Sequence, residues 1–179
     1  FSFGYPGYSV LSALFYRITN FNYIIFYIFQ GILSVLACFF IYLISKKFFN
    51  RKIALLSLFL AAAHPGLIVY STKLHELTLL VFLIVFLFWL MVSLDLTKIC
   101  NNILIGGLAG IGILTRPSAL FFLPAYFTFV LFSDIKNKNF IKIFLPFFLS
   151  VIIVILPWTI RNYNIHKRWI FIATTSAEN

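Results

Sequence analysis

Long apolar runs broken by short polar stretches organise this chain, and their spacing predicts membrane-crossing helices. Residues 23–45 form the first clear span, long enough for about 30 Å of hydrocarbon at about 1.5 Å per residue. A basic loop with Lys46, Lys47, Arg51 and Lys52 follows, then a second span over 53–70 around His64-Pro65-Gly66. Residues 71–76 make a polar turn, 77–94 a third span, and Asp95 to Asn102 a polar loop carrying Lys98. Residues 103–115 are apolar but short, and 117–133 continue directly across Arg116-Pro117. Asp134 to Lys142 reads as a basic loop and 143–157 as a further span. Residues 1–22 are aromatic but interrupted by Gly4, Pro6, Gly7, Arg17 and Asn20, which suits an interfacial segment better than a span.

The pattern predicts an all-α fold, a polytopic transmembrane helical bundle of about six membrane segments. The interfacial segment 1–22 precedes a helical core over 23–157, and 158–179 reads as the polar start of an outer-face loop. Segment 103–115 reaches only about 20 Å as a helix, although extension to Ile99 brings it close to a thin bilayer. Its Gly106-x-x-x-Gly110 spacing permits close helix approach and predicts a packing seam rather than a ligand contact.

Composition agrees with this picture. Of the chain, 63% is hydrophobic and 10% charged, and the acids are Glu76, Asp95, Asp134 and Glu178 alone. A soluble domain of this length needs far more polar surface to cover one core. A net charge of +10 suits nucleic acid, but here the bases sit in short loops between apolar runs, so they are read as membrane topology and nucleic acid is excluded as a partner. Cys38 and Cys100 lie far apart in sequence, in or next to apolar segments, and suggest neither a metal site nor a disulfide framework. Phe1 stands where a methionine would, and no basic leader with a cleavage site precedes the apolar runs, which reads as a fragment.

Loop charges set the expected orientation. Alternating loops place Lys46, Lys47, Arg51, Lys52, Lys98, Lys136, Lys138 and Lys142 on one side, favoured as cytoplasmic. Arg17, Lys73, Arg116, Arg161, Lys167 and Arg168 fall on the other. One step is independent of segment 103–115. Arg116 precedes span 117–133 and Arg161 follows the returning span 143–157, so a two-helix hairpin puts both arginines on one membrane face.

Those arginines are the leading candidates for chemistry. Each stands near a proline at the edge of an apolar segment, in Leu114-Thr115-Arg116-Pro117 and Leu156-Pro157-Trp158-Thr159-Ile160-Arg161. Arginine at a membrane helix centre costs about 2.5–3.5 kcal/mol, and a guanidinium is a natural partner for phosphate. Thr115-Arg116-Pro117 also looks like the start of a helix, where free N–H groups and the positive dipole end attract anions. The competing reading for both is an interfacial anchor, and Trp158 and Tyr163 beside Arg161 suit an aromatic belt.

Glu76 is the acid nearest the outer edge of span 77–94. It either serves a sugar hydroxyl or proton transfer, or is a helix N-terminal carboxylate held by the dipole. Lys73 either neutralises phosphate or pairs with Glu76. His75-Glu76 is a poor metal site, because helix neighbours diverge by about 100° and zinc helices place ligands four apart. His64 and His166 are read as structural. Tyr5, within the rigid aromatic turn Phe3-Gly4-Tyr5-Pro6-Gly7-Tyr8, fits a substrate groove or an interfacial anchor. With no Gly-rich phosphate loop, nucleotide fingerprint or nucleophile elbow, a soluble nucleotide-sugar enzyme is disfavoured.

In order and spacing, Tyr5-Pro6-Gly7-Tyr8, Lys46-Lys47-Phe48-Phe49-Asn50-Arg51, Ala63-His64-Pro65, Glu76, Gly106 to Gly112 with Leu114-Thr115-Arg116-Pro117, and Pro157-Trp158-Thr159-Ile160-Arg161-Asn162-Tyr163 resemble the membrane glycosyltransferases of the GT-C fold. The branch most similar is the dolichyl-phosphate-mannose-protein mannosyltransferase-like family (glycosyltransferase family 39), with its aminoarabinose transferase relatives. The resemblance implies a sugar moved from a polyprenyl-phosphate donor to a protein, lipid or glycan acceptor, with inversion and without a nucleotide cofactor, the lipid-phosphate sugar being a substrate. It implies a multi-pass protein, here placed in a bacterial inner membrane with its site facing the periplasm. By position, Arg116, Arg161, Lys73 and Tyr5 become substrate-binding candidates and Glu76 a second acid near the sugar. The family's catalytic aspartate belongs to the first outer loop, upstream of the aromatic turn, so the chain alone is expected to be inactive. A transporter or flippase of lipid-linked sugars and a non-catalytic membrane scaffold remain the alternatives.

Overall fold

The polar breaks in the sequence become caps and bends. In the computed structural model, which describes residues 5–20, 22–133 and 140–169, Asn22 opens α2 (Tyr23–Phe48) by accepting the Ile24 N–H at 3.0 Å. Asn50 does the same for α3 (Arg51–Ala62) through the Ile53 N–H at 3.0 Å. Side-chain oxygens at helix starts satisfy donors that no intrahelical carbonyl reaches. Before them stands α1 (Pro6–Ile18), which begins on the proline of the aromatic turn. After α3 come α4 (Pro65–Ser71), α5 (Leu77–Ser93), α6 (Ile99–Thr115), a 3-10 turn over Pro117–Phe121, α7 (Phe122–Phe132) and α8 (Phe140–His166). No strand occurs among the described residues, so the fold is all-α. Most of the basic loop predicted over 134–142, the end of the polar tail with Glu178, and Phe3-Gly4 of the aromatic turn lie outside the described residues.

By length and composition α2 and α8 can each cross a bilayer, and α3 with α4 makes a third, bent span. Helices α5, α6 and the stretch Pro117–Phe132 are shorter and apolar. The predicted second span 53–70 is thus a broken one, bent by 51° where Pro65 cannot donate a helical N–H. His64 repairs the break by accepting the Gly66 N–H on Nδ1 at 3.1 Å, which is the structural role expected of it. Large apolar side chains such as Phe59, Phe121 and Ile153 remain exposed along these helices, as lipid-facing positions do.

Helix α8 departs from expectation at its end. Where a polar tail was predicted from residue 158, the helix continues through Pro146 and Pro157 to His166. A proline removes one backbone bond, which membrane helices tolerate when neighbouring groups compensate. The gain is a buried stripe: Phe147, Val151, Thr159 and Asn162 all lie inward on one face.

The chain divides into two compact units, Phe1–Ser9 with Leu94–Asn179 and Val10–Ser93, with the division falling inside α1. In the second, Gln30 Nε2 donates to the His75 carbonyl at 3.1 Å, Phe40 lies 4.9 Å from the rings of both Phe86 and Trp89, and Lys47 donates to the Val92 carbonyl. Partners advance together along both helices, so α2 and α5 run parallel and α3 with α4 is the return.

The first unit is built the same way from α6, α7 and α8. A Cβ on Gly106 would lie 2.3 Å from the Phe147 carbonyl oxygen, and one on Gly110 would lie 2.8 Å from Val154 Cβ. The Gly106/Gly110 seam is therefore a backbone contact, and its partners show α6 and α8 running parallel. Ser150 Oγ adds a hydrogen bond to the Ile103 carbonyl at 2.8 Å. Below the seam Tyr126, fully buried, donates to Asn102 Oδ1 at 2.8 Å and stacks on Phe147 at 4.0 Å, while Asn102 Nδ2 donates to the Leu96 carbonyl at 2.9 Å. Tyr126→Phe keeps the stack and removes only the hydroxyl. We expect it to cost about 1 kcal/mol in detergent-micelle unfolding, the usual worth of one such bond between membrane helices. No loss would show that the stack alone holds α7.

Candidate functional site

The α6–α8 register decides what meets at one end of the first unit. Gly106 faces Phe147 and Ser150, and Gly110 faces Val151 and Val154, so four residues along one helix match four along the other. The same offsets, carried to the end of α6, set Arg116 level with the turn of residues 157–160, next to Arg161. The shared end that the hairpin predicts for the two arginines is thus also the consequence of parallel packing. A third element joins them there. Gly7 lies so close to α6 that a Cβ would meet the Thr115 nitrogen at 2.7 Å and Thr115 Oγ1 at 2.8 Å. Only glycine admits that approach. Tyr5, half-buried and two residues earlier, is thereby held beside the end of α6, its carbonyl accepting Ser9 Oγ at 3.0 Å.

Local structure around Arg116 differs from the helix start that its sequence suggests. Its backbone is extended, with φ −161° and ψ 133°, as the residue before a proline prefers. Its N–H closes α6 on the Gly112 carbonyl at 2.9 Å, and its own carbonyl accepts the Ala119 N–H at 3.0 Å. Pro117 then opens a 3-10 turn, not the full α-helix predicted, so few aligned peptide dipoles back an anion at this point. Charge here comes from the half-buried guanidinium itself.

Arg161 is exposed, and its guanidinium lies 4.6 Å from the centre of the Trp158 ring. That cation–π contact restrains a long side chain without consuming its hydrogen-bond donors. On the inward face of the same turns, Thr159 and Asn162 are buried, as is Thr115 across the seam. Sequence reasoning passed over these three polar residues. Their signal was the spacing of three between Thr159 and Asn162, which puts both on the α6-facing stripe once α8 is known to extend past residue 157.

Glu76 and Lys73 belong to the second unit. The Glu76 carbonyl accepts the Leu80 N–H at 2.9 Å, so Glu76 stands at the N-terminal end of α5, where the dipole favours its carboxylate. Its Oε2 lies 3.4 Å from His75 Nδ1, and that nitrogen also faces the Leu77 N–H at 3.2 Å. Lys73 is exposed in the turn after α4. Among the described residues no three of His, Cys, Asp and Glu gather as a metal site would require, and Cys38 and Cys100 are both free.

What this arrangement offers is two cations at one end of a packed helix pair, a restrained aromatic segment beside them, and buried hydroxyl and amide groups between. No curated protein and no solved structure matches the chain. The family model described as dolichyl-phosphate-mannose-protein mannosyltransferase matches residues 5–160, from Tyr5 of the aromatic turn to the residue before Arg161. That match spans nearly every helix described above, and with it the chain belongs to the dolichyl-phosphate-mannose-protein mannosyltransferase family, which makes it a membrane glycosyltransferase of the GT-C type.

Proposed function

We propose that this chain is the membrane core of an enzyme that moves a sugar from a polyprenyl-phosphate donor to a protein, lipid or glycan acceptor, with the donor phosphate met by Arg116 and Arg161. The observation that carries the reading is the parallel α6–α8 register, which supports a shared level for the two guanidiniums. In this reaction the acceptor oxygen attacks the anomeric carbon, its proton passes to a carboxylate, and the bond from the sugar to the phosphate oxygen breaks. Negative charge grows on the departing phosphate, where fixed cations do most for the transition state. The general base, as the family implies, is an aspartate of the first outer loop of the full-length protein, and we assign Glu76 to the second acidic position near the sugar. Tyr5 joins Arg116 and Arg161 as a substrate-binding residue of the first unit, and Lys73 is the substrate-binding candidate of the second. The site faces the periplasm of a bacterial inner membrane in this reading, and no cofactor takes part.

Transfer by the full-length protein in nanodiscs tests the proposal. Label should pass to acceptor from a polyprenyl-phosphate sugar and not from a nucleotide sugar. Movement of the lipid-linked sugar between leaflets without transfer would establish a flippase and overturn it. The topology has its own test. Single cysteines at 116 and 161 should react with an impermeant reagent from one side of the membrane, and a cysteine at 138 from the other. Labelling of 116 and 138 from one face would refute it.

A further inference from the structure

At the opposite end of α5 from Glu76, the second unit carries a charge arrangement that sugar transfer does not use. Lys46, Lys47, Arg51 and Lys52 are all exposed and lie within seven residues, at the end of α2 and the start of α3. The chain has no acid before Glu76, which stands about 25 Å away at the far end of the 17-residue α5. Asp95, two residues past the end of α5, already accepts the Thr97 N–H at 3.0 Å and its hydroxyl at 2.7 Å. Arg51 and Lys52 occupy the first turn of α3, the positive end of its dipole, where bases are disfavoured. Lys47 is drawn to the Val92 carbonyl at the end of α5, and Lys46 lies 5.9 Å from the centre of the Tyr42 ring.

Beside these bases lies an apolar cavity of about 290 Å³, bounded by Ile41, Ile44 and Phe48 of α2 and by Val85, Phe88 and Val92 of α5. From Phe48 to Ile41 it extends about 10 Å along α2, within the roughly 15 Å depth of one leaflet's hydrocarbon. Phe48 and Val92 line its end nearest the basic turn. We propose that this groove and turn together bind one anionic phospholipid of the surrounding bilayer, an acyl chain along α2 and α5 and the phosphate among Lys46, Arg51 and Lys52. Basic groups flanking an apolar slot between membrane helices match both parts of such a lipid. A neutral phospholipid satisfies the slot and leaves the bases uncompensated.

Native mass spectrometry of the full chain, released from micelles with phosphatidylglycerol or phosphatidylcholine of identical acyl chains, tests this. One phosphatidylglycerol should survive activation that strips phosphatidylcholine. The triple variant Lys46→Ala/Arg51→Ala/Lys52→Ala should retain less by about tenfold or more. Val85→Trp and, separately, Ile44→Phe keep every base and fill the slot, and each should also lose the lipid while eluting as the same monodisperse species. Equal retention of the two lipids overturns the proposal. So does retention unchanged in the slot-filled variants, which would reduce the effect to surface charge, or preference for a polyprenyl phosphate over phosphatidylglycerol. None of these variants touches the donor site, so sugar transfer by the full-length protein in phosphatidylcholine nanodiscs should persist in all of them, and the two proposals fail independently.

Discussion

Gly106→Ala is expected to destabilise the first unit by about 2–4 kcal/mol, among the largest effects available to a single methyl group in this chain. The added Cβ would lie 2.3 Å from the Phe147 carbonyl oxygen and 3.0 Å from both the Phe147 carbonyl carbon and Ser150 Cβ. Backbone cannot swing aside as a side-chain tip can, so α6 and α8 must separate. Separation also stretches the Ser150–Ile103 hydrogen bond, now 2.8 Å, and lifts Phe147 from Tyr126. Against these losses stands only the better helix propensity of alanine, about 1 kcal/mol. Gly107→Ala is the matched control. Its Cβ would meet nothing nearer than Ser150 Oγ at 3.4 Å, so the propensity gain should leave it neutral or slightly stabilised. Denaturant titration in micelles separates the two, and equal stability of both variants would refute the α6–α8 contact. Because Gly110 and Gly7 approach their neighbours nearly as closely, at 2.8 and 2.7 Å, loss of the seam should also loosen the end where Arg116, Arg161 and Tyr5 meet.

That seam shows what local pattern can and cannot reveal. Two glycines four apart in an apolar run declare a close approach whatever the partner, because only the absence of side chains explains them. The partner is different. Phe147 and Ser150 come from a helix more than forty residues away, and no local spacing encodes parallel register with α8. Helix positions followed hydropathy well, since each apolar run must satisfy its backbone internally. Ends did not. Pro65 broke a predicted span while Pro157 failed to end one, and the difference lies in tertiary burial of Thr159 and Asn162 beyond the second proline. The Asn102–Tyr126 pair was likewise invisible, since a polar group within an apolar run shows its partner only after folding. For the site, the hairpin rule was enough to put Arg116 and Arg161 at one end. It said nothing of Gly7 docking on Thr115, which gives Tyr5 its place there.

The other large effect concerns the arginines themselves. Arg116→Ala and Arg161→Ala should each lower sugar transfer by about 10²–10³, the usual loss when one fixed donor or charge is withdrawn from a developing oxyanion. Membrane insertion should change little, because each variant removes a costly charge from the edge of an apolar segment. If both guanidiniums serve one phosphate, the double variant should lose much less than the product of the single losses, as residues that act as a unit do. Independent anchors at the lipid surface would instead leave transfer intact and shift only insertion. Arg→Lys variants sharpen the contrast. Lysine keeps the charge but not the planar fork, so it should restore headgroup anchoring fully and transfer only in part. Arg161 has one further handle, since Trp158 restrains it at 4.6 Å. Trp158→Leu frees the guanidinium while keeping its charge, and should raise KM or lower kcat by several-fold, the rate equivalent of about 1 kcal/mol. The same substitution placed on Arg161→Ala should then cost nothing more. Full additivity of the two would mean that Trp158 acts elsewhere and that the donor phosphate does not depend on a positioned Arg161.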